Sequence, residues 1–140
     1  MYLIYAIFGA VFASLSTIFA KIGLKAVDSN ILTSVRAVIM ALVVCIFTFF
    51  FGNFSSFDLS KISNKEWLFI FLSALGGAFS WIFFFKALSS GSVISVTVID
   101  KLSILFTAIL AFVILSEKLN LQTIVGLFMV VFGVILLSLK

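Results

Sequence analysis

Residues 121–139 read Leu121-Gln122-Thr123-Ile124-Val125-Gly126-Leu127-Phe128-Met129-Val130-Val131-Phe132-Gly133-Val134-Ile135-Leu136-Leu137-Ser138-Leu139, without a single charged side chain. A helix rises about 1.5 Å per residue and the hydrocarbon core of a bilayer is about 30 Å thick, so a run of this length and character reaches across it. Four more such runs precede it, at about 3–26, 31–51, 67–88 and 93–115. They are too long for strands and lack the alternation of a barrel. The chain therefore reads as an all-α integral membrane protein of five transmembrane helices in one domain, 1–140, held in the cell (inner) membrane.

Composition supports lipid as the solvent. Of 140 residues, 64% are apolar and 10% charged, against about 25% charged in a soluble domain. No proline is present to force a kink. The absence of histidine and the single cysteine, Cys45, leave no triad, no imidazole shuttle and no zinc set. Cys45 sits in an apolar run and reads as a small buried apolar residue. With no nucleophile–base pair either, neither an enzyme nor a cofactor is expected. The net charge of +4 would suit nucleic acid only if the cations formed a stripe; they are scattered at segment ends, as membrane anchors are. The start of the chain has no basic n-region, and reads as a retained first helix rather than a cleaved signal.

The connections are short. Asp28-Ser29-Asn30 closes the first, and Asp28 or Ser29 suits the N-cap of the second helix. Ser89-Ser90-Gly91-Ser92 closes the third and Glu117-Lys118-Leu119-Asn120 the fourth. The segment 52–66 is longest. Its Phe54 and Phe57, mixed with Asp58, Lys61 and Lys65, suit a stretch lying along the interface, with Trp67 as an aromatic anchor. On the side of the N-terminus lie Lys61, Lys65 and Lys118; on the other, Lys21, Lys25 and Lys140, with Arg36, Lys86 and Lys101 deeper. The tails and connections alone are balanced, and a balanced chain can insert either way round; with the deeper cations counted, the side opposite the N-terminus is cytoplasmic, so the positive-inside rule gives two answers.

Charges inside spans narrow the function. Arg36 lies in the second helix, and Asp100 and Lys101 lie at similar depth in the fourth. A charge in lipid costs at least about 2.5–3.5 kcal/mol on insertion scales, so these groups face protein, water or one another. One reading is an Arg36–Asp100 ion pair; the other is a substrate path, and the two overlap. Lys21 and Lys86 are expected to snorkel to the interface. Helical spacing places Thr97, Asp100, Ser103 and Thr107 on one stripe, Ser14, Thr17 and Lys21 on a second, and Ser73, Gly77 and Ser80, beside Trp81, on a third. Each stripe alone suits ordinary helix packing; together, beside charges, they point to a polar cavity. Gly126 and Gly133 share a face of the last helix, where a second helix can approach closely, and suit a dimerisation surface.

These segments resemble the drug/metabolite transporter superfamily, specifically a half-size protein made of one EamA-type domain. The resemblance rests on Ala20-Lys21-Ile22-Gly23-Leu24 with Val27-Asp28-Ser29, Thr33-Ser34-Val35-Arg36, Ile99-Asp100-Lys101-Leu102-Ser103 running on to Leu115-Ser116-Glu117-Lys118-Leu119, and Gly126…Gly133-Val134. It covers essentially the whole chain. It implies one repeat of a ten-helix transporter whose two halves are inverted, so that two copies rebuild it only as an antiparallel, dual-topology homodimer, or with a similar half-size chain as a heterodimer. Inverted repeats around a midplane site are a recurring transporter plan. By the same resemblance the first four helices line the cavity and the fifth is peripheral or at the dimer contact. The first helix lacks the glutamate with which small multidrug resistance proteins of this superfamily exchange protons for cations; Asp100 is the only carboxylate well inside a helix.

The reading is a secondary transporter of small metabolites or drug-like solutes by alternating access. Asp100 is the proton- or ion-responsive group, Arg36 and Lys101 pair with it or meet an anionic part of the substrate, and Trp81, Ser14, Thr17, Thr97 and Ser103 shape the cavity. Two alternatives stand beside it: a lipid or lipid-linked-sugar flippase subunit, with the basic cluster on a phosphate headgroup, and a non-transporting structural protein with the charges sealed in dry packing. Partners are then a small-molecule substrate and membrane lipids, not nucleic acid.

Overall fold

The computed structural model describes residues 1–52 and 62–139. Six helices are found among them: α1 (Tyr2–Gly23), α2 (Ser29–Phe51), α3 (Asn64–Ser90), α4 (Val93–Asp100), α5 (Ser103–Leu115) and α6 (Leu121–Ser138). α4 and α5 together form one span, Val93–Leu115, giving five helical segments long and apolar enough to cross a membrane. The protein is a multi-pass protein of the inner membrane. The expected interfacial stretch through Phe54, Phe57, Asp58 and Lys61 lies outside the described residues, as does Lys140.

Local chemistry sets the ends. Asp28 Oδ1 accepts the N–H of Asn30 at 2.8 Å and caps α2. α3 begins at Asn64, earlier than the apolar pattern suggests, because Ser63 and Glu66 form a reciprocal capping box: Ser63 N–H donates to Glu66 Oε2 at 2.8 Å and Glu66 N–H to Ser63 Oγ at 3.3 Å. Apolar periodicity cannot register such a polar first turn. α1 stops at Gly23 rather than running to Ala26. The bonds tighten there from Leu24 N–H on Ala20 to Ala26 N–H on Gly23, and a Cβ on Gly23 would stand 2.9 Å from Leu32 Cδ1. Glycine thus lets the turn pass close to α2.

The fourth span corrects the expectation of one continuous helix. Lys101 N–H bonds Val98 O at 3.1 Å, Leu102 N–H bonds Ile99 O at 3.0 Å, and Ile104 N–H bonds Lys101 O at 3.1 Å, a switch to three-residue spacing. Nearly every residue from Val93 to Ile99 is β-branched, which weakens the helix without any proline. The supposed single stripe of Thr97, Asp100, Ser103 and Thr107 therefore straddles a break.

Contact clustering separates the chain into two compact units, Met1–Ser89 and Ser90–Lys140. In the first, burial is confined to one end: Ala20 at the close of α1, Ser29 and Thr33 at the start of α2, and Phe85 and Leu88 at the close of α3. Leu88 is fully covered. Toward Tyr2, Phe51 and Trp67 the side chains of all three helices are exposed. That suits lipid, where apolar association rests on shape rather than water exclusion. Cys45, expected to be buried, is exposed, as are its neighbours along that half of α2.

In the second unit α6 packs on α4 and α5. Its covered face is Leu127, Val130, Val131, Gly133 and Val134, at helical spacing. The α5–α6 turn closes with Ser116 in the left-handed region (φ 55°), and Ala111 O takes both the Ser116 N–H and, at 3.2 Å, the Glu117 N–H. Asn120 Oδ1 then caps α6 through Thr123 N–H at 2.7 Å.

Candidate solute site

Arg36 stands about 10 Å along α2 from its start, on the face that carries Ser29, Thr33 and Met40. Its Nη2 donates to Ser16 Oγ on α1 at 2.6 Å. Its guanidinium carbon lies 5.2 Å from the centre of the Trp81 ring and 4.8 Å from that of Phe85, both on α3. Three helices thus meet on one cation. Aromatic faces attract it electrostatically, by more when water is scarce. Among the described residues of this unit, no carboxylate lies within ion-pair distance of Arg36.

Trp81, read from the sequence as lying beside the Ser73, Gly77 and Ser80 stripe, meets the Arg36 guanidinium. Ser14 and Thr17 are not part of the cluster: their hydroxyls donate to Ala10 O and Ala13 O, each at 2.9 Å, within their own helix. Ser16 and Phe85 were not anticipated. Ser16, Ala20 and Gly23 recur at packing-face spacing on α1, and Phe85 is one turn beyond Trp81; both patterns were available in the sequence. Ser73, Gly77 and Ser80 remain exposed, and a Cβ at Gly77 meets nothing within 4 Å, so that stripe does not pack within the unit.

Lys21 corrects the expectation of snorkelling. Its ammonium donates to Leu88 O at 2.6 Å, in a part-buried setting, and so places a cation on the carbonyl end of α3. Replacing it with methionine (Lys21→Met) is expected to cost about 1.5–3 kcal/mol, the range for a hydrogen bond to a charged group. Unfolding of the detergent-solubilised protein measures this; Lys21→Arg should recover much of it.

The second unit carries Asp100 and Lys101 at the α4–α5 break. Lys101 Nζ is 3.9 Å from Asp100 Oδ2, with the side chains 55% and 40% exposed. Charged groups this far into a span are costly against acyl chains. One turn back, the Oγ1 of Thr97 is buried without a hydrogen-bond partner, and Ser103, one turn on, is exposed. On α6, a Cβ at Gly126 or Gly133 meets nothing within 4 Å; Gly126 is exposed and Gly133 half-buried. Among the described residues no group of metal-ligating side chains is found.

The profile of the EamA-like transporter family matches residues 1–139. A protein of Sinorhizobium sp described as an uncharacterized transporter in the cobO 3′ region is 35% identical over 134 residues, which span 96% of this chain and 94% of that protein. No solved structure matches the chain.

Proposed function

The chain belongs to the EamA-like transporter family, as a half-size transporter of small solutes with one such repeat, and from that premise we propose that two copies inserted in opposite directions form the working unit and move solute by alternating access, with coupling at Asp100. The observation that carries this reading is the exposed Asp100–Lys101 pair at a break inside a span. Broken spanning helices with ionisable groups at the break are how many secondary transporters present an ion site near the midplane. Thr97 and Ser103 flank that site. Arg36, held against Ser16, Trp81 and Phe85, supplies the other charged station.

The open glycine face of α6 supports pairing, because it leaves room for a second helix that the unit itself does not use. An odd number of spans inverts a second copy only if it inserts the other way, and the balanced lysines permit that. The test is flux: purified protein in sealed liposomes with an imposed proton gradient accumulates solute, and an uncoupler collapses the accumulation. Accumulation indifferent to the uncoupler would remove proton coupling from this reading.

A further inference from the structure

We infer that the Arg36 cluster is a receptor for the acidic head of a small organic anion, a carboxylate or phosphate borne on an apolar body. The inference rests on the solute-transporter reading and names the substrate class. A guanidinium is a planar fork of N–H donors that matches a carboxylate or phosphate two bonds at a time. Among the described residues its one hydrogen bond is to Ser16. The aromatic rings of Trp81 and Phe85 take the cation against their faces. Among the described residues the remaining donors of the fork make no hydrogen bond.

The surrounding charge favours the same sign of ligand. The end of the first unit where its helices converge carries Lys21, Lys25, Arg36 and Lys86 against Asp28 alone, and Asp28 accepts the N–H of Asn30 as a helix cap. Such an imbalance at a low-dielectric site concentrates anions. Beside the guanidinium, Arg36 shares an open apolar flank of α2 with Ile31, Leu32, Val35, Ile39 and Met40. That surface suits the apolar body of the anion and offers nothing to a polar one. A lipid headgroup and a free organic acid present the same head, and the experiment separates them.

The probe is cyclohexanecarboxylate, compared with cyclohexanemethanol and cyclohexylmethylammonium, which share its body and differ in charge. Trp67→Phe leaves Trp81 as the reporter, since these are the two tryptophans of the chain. In phosphatidylcholine vesicles the carboxylate is expected to change Trp81 fluorescence saturably, and the alcohol and ammonium are not. Arg36→Gln should weaken the response at least about tenfold, with Arg36→Lys between. Adding phosphatidylglycerol distinguishes the sources: if it abolishes the carboxylate response and itself shifts Trp81, the held anion is lipid phosphate and the site stands. Equal responses to all three probes, or an undiminished response in Arg36→Gln, would overturn the inference. So would recovery of wild-type stability by Arg36→Asp combined with Asp100→Arg, which would make Arg36 half of a structural ion pair. Binding is read without flux, so a protein that binds carboxylate and moves nothing refutes transport alone.

Discussion

Leucine at both Gly126 and Gly133 should reduce transport to background while leaving the single chain folded. The separation of the two effects follows from where these glycines lie. Leu127, Val130, Val131 and Val134 lie on the covered face of α6, with Gly133 half-buried at its edge and Gly126 exposed. A Cβ built on either meets nothing within 4 Å, so the larger side chain has room within its own unit. Leucine also gains helix propensity, by roughly 0.5–1 kcal/mol per site over glycine. Stability of the monomer should be unchanged or raised. The contact that suffers is close approach by another helix, which small residues permit and leucine blocks. Cross-linking in membranes should show loss of the dimer, melting in detergent should show no loss of stability, and solute uptake should disappear with the dimer. Uptake that persists alongside intact cross-linking would place the contact elsewhere.

Asp100→Asn should abolish accumulation against a gradient and preserve exchange of solute between equal concentrations. The substitution keeps size and shape and removes only the ability to carry and release a proton. Folding should tolerate it, because Lys101, which loses its neighbour at 3.9 Å, is 55% exposed and so is not left as a buried lone charge. One coupled proton across a pH step of one unit supports about tenfold accumulation, since a tenfold ratio and about 1.4 kcal/mol are the same quantity. In the variant that ratio should fall to unity. Accumulation undiminished in Asp100→Asn would remove Asp100 from coupling and leave the family assignment untouched.

The spans were legible because bilayer thickness fixes helix length and because composition alone demanded lipid. The capping box at Ser63 and Glu66 lay in plain view, but the apolar pattern that marks a span does not extend to it. The break at Lys101 was hidden for a different reason. No proline announces it, and a run of β-branched residues lowers helix propensity without fixing where hydrogen bonding changes. Within the site, Arg36 and Trp81 stood out as a charge and an indole inside spans. Ser14, Ser16 and Thr17 lie within one turn of α1 and point in different directions. Grouping by their spacing to Lys21 selected Ser14 and Thr17, and the hydroxyl that reaches Arg36 belongs to Ser16. Only the placement of α2 against α1 distinguishes them.

The central proposal is a working unit of two oppositely inserted copies, and topology tests it most directly. A protease-cleavable tag at the N-terminus, assayed in sealed membrane vesicles of one orientation, reports which face each copy presents. Cleavage of about half the chains from outside, with the rest cut only after the vesicles are opened, is the predicted result for a dual-topology chain. Cleavage of all chains from one face, or of none until opening, would contradict it.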